Sequence, residues 1–214
     1  MEDISQQYDV SYKLMCEIDH ADFEAIFKRK GYAFFTKGEY NLNIIGVRSY
    51  NRHKVTNRFD DALVVIYNNS KGWQKLIYPI TTEPGRYYMM QKMCNIKGTA
   101  ILVPNQYRGC WKIGKHNNQY LALVQAKPVS VYRDSNKDDV YDYDPKTIDN
   151  GLFGINIHKS NQYRVSKTVD NWSAGCQVFA DPIHFQSFMN LCKKQSERYG
   201  NSFTYTLLEE KDLL

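Results

Sequence analysis

One histidine and one cysteine in the last third of the chain have the spacing and surroundings expected of a nucleophilic pair. His158 ends the apolar segment Gly154–His158, GINIH, and a strand there would hold its ring rigidly. Cys176 follows Ser173, Ala174 and Gly175, a small-residue turn that leaves main-chain N–H groups free and lets a substrate approach closely. A histidine beside a thiol can supply the thiolate, which is the true nucleophile. We predict a nucleophilic pair, against the alternative that both side chains are simply buried.

A second cysteine and histidine offer a rival pair. His116 follows Cys110 by six residues, but Cys110 lies between Gly109 and Trp111, with no strained turn to present its thiol. A general base must first lie within reach of the nucleophile, and only then does its pKa matter, so we favour the pair of His158 and Cys176. His184, in the first turn of a predicted helix, is interpreted as a surface residue.

An acidic segment resembles part of a calcium-binding loop. Oxygen-bearing side chains occupy positions 1, 3, 5 and 9 of that pattern, namely Asp134, Asn136, Asp138 and Asp142. Asp139 stands where the sharp turn uses glycine, and Pro145 cannot supply the bidentate glutamate of position 12. A solvated acidic turn is therefore the favoured interpretation, with a calcium-dependent adhesion module as the alternative. We expect no other cofactor, because the sequence has no metal-ligand cluster, P-loop or dinucleotide motif.

Strands are predicted to position these residues, with helices near both ends. The helix over His20–Lys30 begins after Asp19 as N-cap, and Gly31 follows its end. The helix over Pro182–Tyr199 begins after Asp181. The strands are predicted at 43–47, 62–68, 75–80, 99–103, 120–125, 129–133, 154–158 and 203–208.

Short strands separated by turn residues predict a mainly β fold, a sandwich or barrel with a few peripheral helices. Residues 1–38 are predicted to form a small helical segment packed on the main domain, which covers 39–214. Aromatic residues make up 14% of the chain, which favours strands over helices.

Composition restricts the class of protein. The chain has 214 residues, and 43% of them are apolar, which is enough to form a hydrophobic core. No apolar run approaches the length of a membrane-spanning helix. The acidic, polar start carries no recognisable secretion signal, so we expect a soluble protein. The net charge of +5 suits a polyanionic partner such as cell wall or nucleic acid. The tightest basic cluster, 28–30, lies at a predicted helix end, so no nucleic-acid partner is expected.

Five cysteines without CxxC spacing predict neither a disulfide scaffold nor a zinc ribbon.

The histidine, the variable loop and the SAGC turn together resemble the catalytic signature of the L,D-transpeptidase (YkuD-type) family. The resemblance is firm over about residues 150–180 and looser over 40–135. Segments 153–158 (FGINIH) and 170–179 (DNWSAGCQVF) are also similar to uncharacterised proteins of tailed bacteriophages and some bacteria. SAGC would then be a version of the motif that belongs to this subgroup. This resemblance implies a protein of the host cytoplasm or of a virion that acts on the bacterial cell wall.

The resemblance implies an L,D-transpeptidase-like β domain and a role for each matched residue. Cys176 would attack a peptidoglycan stem-peptide carbonyl to form a thioester, with His158 as base and the carbonyl of Lys159 orienting it. Ser173 and Gly175 would shape the oxyanion site. The candidate substrate contacts are Trp172, Ala174, Gln177 and Asn156. Tyr87, Tyr88 and Tyr163 could join Trp172 in an aromatic wall, but ordinary packing is the favoured interpretation of these side chains.

Two positions depart from the family pattern. Ala174 replaces a histidine, and Gln177-Val178 replaces a pair that ends in arginine. That arginine would help to hold a substrate carboxylate, so the substrate register is left open. The predicted function is a peptidoglycan-active cysteine enzyme: a phage-type peptidase or hydrolase, or an L,D-transpeptidase. The alternative is a catalytically silent wall-binding or virion protein that retains the fold. The oligomeric state stays open.

Overall fold

A computed structural model describes the backbone of residues 10–50 and 53–214, and the side chains from Leu14 onward within those ranges. The helices are α1 (Val10–Glu17), α2 (His20–Arg29) and α3 (Pro182–Tyr199). The strands are β1 (Asn43–Arg48), β2 (Asp61–Asn69), β3 (Gly72–Thr81), β4 (Thr99–Leu102), β5 (Gln106–His116), β6 (Tyr120–Gln125), β7 (Val129–Asp134), β8 (Asp149–Gly151), β9 (Ile157–Lys159), β10 (Gln177–Phe179) and β11 (Phe203–Glu209). A π-helical turn spans Tyr87–Gln91, and 3₁₀ turns span Pro145–Thr147 and Glu210–Leu213.

Eight strands close into a barrel, which confirms the predicted mainly β fold with peripheral helices. Their order is β1-β11-β5-β6-β9-β10-β3-β2, and β2 pairs back onto β1. Most neighbours are antiparallel, but β1–β11 and β9–β10 are parallel. A smaller sheet, in the order β4-β7-β8, packs its apolar face on the same core.

Strands β1 and β2 are buried on both faces, which explains their nearly continuous apolar sequence. Alternate residues such as Leu63 and Val65 face the core that the barrel shares with α3. Their neighbours Val64 and Ile66 pack instead with Phe23 of α2 and with α1. The helical segment predicted for residues 1–38 therefore includes α1 and α2, which cover the outer face of β1 and β2. Its first nine residues lie outside the described residues.

The helix termini follow the predicted caps. The Asp19 side chain accepts from Ala21 N–H at 2.7 Å, and Asp22 completes a capping box. The Asp181 carboxylate accepts from Ile183 N–H at 2.7 Å, so α3 begins at the predicted residue.

Three strands escaped prediction, and one predicted strand was too long. β5 contains Gly109 with φ +61°, where its pairing with β11 shifts register, together with several charged residues that obscure its alternation. β8 and β10 are only three residues long each. The strand predicted over 154–158 begins only at Ile157, because Gly154 has φ +72° and interrupts the extended backbone.

None of the helices in the described ranges has both the length and the hydropathy needed to cross a membrane.

Candidate active site

Parallel pairing of β9 with β10 brings the predicted nucleophile and base to one surface. His158 pairs with Val178, and Ile157 pairs with Gln177, the residue after Cys176. Ile157 and Phe179 point into the core. Because side chains alternate along a strand, His158 and Cys176 point to the opposite face. Both line a single cavity of about 500 Å³ there.

Hydrogen bonding fixes which nitrogen of His158 carries its proton. Nδ1 lies 2.8 Å from the Lys159 carbonyl oxygen, which can only accept, so Nδ1 is the protonated nitrogen and Nε2 keeps a lone pair. The Tyr120 hydroxyl donates to the same oxygen at 3.2 Å. Burial, with a smaller contribution from His116, lowers the pKa of His158 to about 3. His158 is therefore a neutral imidazole with a free acceptor nitrogen.

The Cys176 thiol lies between two main-chain groups of the preceding loop. Asn156 N–H donates to Sγ at 3.5 Å, and the thiol donates to the Gly154 carbonyl at 3.4 Å. Burial raises the pKa of Cys176 to about 11, although the Asn156 N–H opposes this shift. The resting pair is thus a neutral thiol and a neutral imidazole, so the base must take the proton as the sulfur attacks.

The small-residue turn has the backbone geometry that only glycine tolerates easily. Gly175 has φ +119°, and a Cβ there would lie 2.3 Å from the Ala100 carbonyl oxygen. Ser173 Oγ accepts from Gly175 N–H at 3.2 Å and donates to the Cys176 carbonyl at 2.8 Å, which locks the turn. The main-chain N–H of Cys176 has no acceptor among the described residues. That N–H is the candidate oxyanion donor beside the sulfur.

Amide and aromatic side chains dominate the cavity wall. The amides are Asn117, Gln119, Asn161, Gln162 and Asn171, and the aromatic residues are Tyr88, Tyr120, Tyr163 and Trp172. Lys159 also lines the cavity, with Nζ 4.6 Å from the centre of the Tyr120 ring. No carboxylate of the described residues contributes to this lining. The wall therefore combines uncharged hydrogen-bonding groups with one lysine.

The predicted substrate contacts separate into two groups. Trp172 and Ala174 line the cavity, as do Tyr88 and Tyr163 of the expected aromatic wall, whereas Tyr87 does not. Asn156 lies behind the wall, where its side-chain oxygen accepts from Gln125 N–H at 2.9 Å.

The placement of Gln177 corrects the prediction. Its side chain is buried and accepts from the Tyr205 hydroxyl at 2.7 Å, so it faces the core and not a substrate. The reason is strand alternation, because Gln177 follows the outward-pointing Cys176.

The rival pair is not brought together. Cys110 is buried, and its thiol lies 3.6 Å from the Arg108 carbonyl. His116, six residues further along β5 and thus about 20 Å away, lines the cavity with Cys176 instead. His116, which the sequence placed only in the disfavoured rival pair, thus lies in the cavity of the favoured one. His184 is partly exposed and lies 5.4 Å from the Tyr78 ring, outside the cavity.

The acidic loop folds on itself. Asn136 donates to the Asp142 carboxylate at 2.8 Å, and Asp138 accepts from Val140 N–H at 2.9 Å. Asp134 is buried, accepts from Asp142 N–H at 2.9 Å, and has its second oxygen unpartnered. Across the described ranges, no three histidine, cysteine or acidic side chains are grouped as metal ligands. The solvated acidic turn stays the favoured interpretation, and calcium binding stays an untested alternative.

A buried polar network lies behind the turn. Arg48 donates to Thr82 Oγ1 at 3.0 Å and lies 3.5 Å from the Glu83 carboxyl. Burial and the neighbouring Asp61 raise the pKa of Glu83 to about 8, and Arg48 only partly opposes this. The Gln177 amide lies 3.5 Å from the Thr82 carbonyl, which connects the network to the residue after the nucleophile.

The chain matches no protein-family model, no curated protein and no solved structure.

Proposed function

We propose that the protein is a peptidoglycan-active cysteine enzyme with an L,D-transpeptidase-like domain. The observation that carries this proposal is the placement of His158 in β9 and of Cys176 immediately before the adjacent parallel strand β10, with both side chains lining one cavity. The bond from His158 Nδ1 to the Lys159 carbonyl is the contact that the family resemblance implies for its base.

In this mechanism the Cys176 sulfur attacks a stem-peptide carbonyl carbon. His158 Nε2 takes the thiol proton as the S–C bond forms, because neither group is charged beforehand. The carbonyl oxygen becomes an oxyanion, which the Cys176 N–H can stabilise. When the tetrahedral intermediate collapses, the C–N bond breaks and His158 returns its proton to the leaving amine. The product is a thioester.

Water or an amine then attacks the thioester and restores the thiol. Water gives hydrolysis, and an amine gives a new cross-link. Both acceptors use the same nucleophile, base and oxyanion donor, so the proposal includes a phage-type peptidase and an L,D-transpeptidase. The cavity supports a stem peptide as substrate, since its amides can bind peptide groups and Lys159 can pair with a carboxylate.

The test is digestion of purified peptidoglycan by wild type and by Cys176→Ala, with products resolved by mass. Cys110→Ala is the matched control, because it removes a buried thiol outside the cavity. New muropeptides from wild type and Cys110→Ala, but not from Cys176→Ala, would support the proposal. Their masses distinguish cleavage from cross-link exchange. No product from walls of different chemotypes would contradict the proposal.

A second candidate is a catalytically silent wall-binding or virion protein. The observation that favours it is the high pKa of Cys176, which leaves little thiolate at neutral pH. Incubation with a purified stem peptide distinguishes the two candidates. The enzyme forms a thioester on Cys176 that peptide mass detects, whereas a silent protein leaves Cys176 unmodified.

A further inference from the structure

His116 lies against the base although it comes from a distant strand. It is the last residue of β5, and its ring stacks on that of His158 with 4.1 Å between centres and an angle of 18° between planes. It lies outside the segment 154–176 that carries the recognisable motif. The mechanism proposed above gives it no task.

The hydrogen bonds around His116 determine its protonation state. The Asn156 side-chain oxygen accepts from Gln125 N–H at 2.9 Å, so the amide nitrogen must be the group 3.0 Å from His116 Nδ1. That nitrogen donates, which makes Nδ1 an acceptor and places the His116 proton on Nε2. Nε2 lies 3.2 Å from the Asn117 side-chain nitrogen, and both would be donors in this tautomer. We therefore assign the exposed Asn117 amide the flipped orientation, in which its oxygen accepts from Nε2. His116 is therefore a neutral ring held at both nitrogens.

The same Asn156 that donates to His116 also contacts the nucleophile. Its main-chain N–H donates to Cys176 Sγ at 3.5 Å, while its side chain bridges His116, the last residue of β5, and Gln125, the last residue of β6. His116 thus contacts the His158 base directly by ring stacking, and it is linked to the Cys176 sulfur indirectly through Asn156. Tyr120 and His158 are the titratable groups whose rings face it, at 5.5 Å and 4.1 Å.

We propose that His116 is a positioning residue: its Nδ1 holds Asn156 so that the Asn156 N–H points at the Cys176 sulfur, and its ring fixes the plane of the His158 base. Any effect of His116 on enzymatic turnover rests on the proposed function. Its effect on the reactivity of the Cys176 thiol does not, because that reactivity can be measured without substrate.

Two substitutions separate these contacts. His116→Phe keeps a ring to stack on His158 but removes the acceptor for Asn156. His116→Asn removes the ring but can place Oδ1 near the former Nδ1. Lys115→Ala is the control, because Lys115 is an exposed neighbour on the other face of β5.

The measurement is the rate of Cys176 alkylation by iodoacetamide at pH 8, followed by peptide mass, with buried Cys192 as internal reference for folding. We expect His116→Phe to slow alkylation by about tenfold, the scale of one lost hydrogen bond, and His116→Asn to stay within about threefold of wild type. Equal rates for wild type and His116→Phe, or equal losses in both variants, would overturn the proposal.

A spectroscopic measurement complements the rates. In ¹⁵N-labelled protein we expect His158 protonated on Nδ1 and His116 on Nε2, with His116→Asn broadening the His158 signals. The opposite tautomer of His116 would overturn the proposal. If alkylation and tautomers behave as expected but peptidoglycan is not cleaved or cross-linked, the proposed function fails while the positioning role stands.

Discussion

The neutral His158 makes the folding stability of this protein depend on pH in a calculable way. Its pKa is about 3 when folded, against an ordinary value of 6.5. Between these pH values the unfolded chain binds a proton that the folded protein does not, so stability rises with pH across this window. Binding of this proton by the unfolded chain makes the free energy of unfolding roughly 3 kcal/mol smaller at pH 4 than at pH 7. The value comes from RT ln(1 + 10^2.5), minus small terms for protonation of the folded protein at pH 4 and of the unfolded chain at pH 7.

The perturbation that isolates this effect is His158→Asn, whose amide can still donate to the Lys159 carbonyl. The variant loses packing by about 1–2 kcal/mol at both pH values, but it has no imidazole to titrate. We therefore expect wild type to lose about 3 kcal/mol more than the variant when the pH falls from 7 to 4. Buried carboxyls such as Glu83 titrate in both proteins and cancel in the comparison.

The assay is urea unfolding followed by tryptophan fluorescence, at pH 4 and pH 7, for both proteins. Extrapolation to zero urea gives four free energies of unfolding and one double difference. A double difference within 0.5 kcal/mol of zero, on the order of the measurement error, would refute the claim that His158 is buried uncharged beside His116. That result would also remove the reason for proton transfer concerted with attack.

Three further predictions concern the residues around the pair. Gly175→Ala should destabilise by about 3 kcal/mol in thermal unfolding, because its Cβ meets a β4 carbonyl at 2.3 Å; Gly200→Ala, also at positive φ but with open space, should cost only about 1 kcal/mol. Tyr205→Phe should cost about 1–3 kcal/mol by leaving the buried Gln177 oxygen unpaired, and an unchanged melting temperature would contradict this. The contribution of Glu83 to stability should fall as pH rises from about 5 to 8, opposite in sign to that of His158, because the folded protein keeps the Glu83 proton that the unfolded chain releases. Glu83→Gln should remove this contribution, so the variant should gain stability relative to wild type across this range, and an unchanged pH dependence in the variant would argue against a protonated Glu83.

The sequence predicted those parts of the fold whose determinants are local. Asp19 and Asp181 mark helix starts because a cap satisfies N–H groups two or three residues away. β2 was predicted because burial on both faces leaves an unbroken apolar run. β5 was missed because its glycines and lysines depend on barrel neighbours, as Gly114 does, where a Cβ would lie 2.6 Å from the Val124 side chain.

The site residues likewise divide into those that local sequence identifies and those that only the strand pairing brings to the site. The thiol, the base and the turn lie within 23 residues and carry a recognisable spacing. His116 reaches them only through the pairing of β5 with β6 and of β6 with β9, which sequence spacing does not encode. Gln177 was assigned to the substrate side because its inward orientation depends on the register of β10.

The reacting groups and the segment that would contact a ligand belong to different parts of the chain. The parallel strands β9 and β10 position His158 and Cys176, whereas a connecting segment between these strands supplies much of the cavity wall. Residues 161–171 leave the barrel after β9 and return just before the SAGC turn, bringing Asn161, Gln162, Tyr163 and Asn171 to the cavity. None of these residues belongs to a strand of the barrel. The later part of the segment is anchored, because Ser166 N–H donates to the Ala180 carbonyl at 3.0 Å and Val169 is buried. The earlier part, which carries the exposed Tyr163, could be exchanged in related sequences while the strand pairing keeps the sulfur and the imidazole in place. For protein engineering, 161–165 is therefore the part to replace without rebuilding the reacting pair.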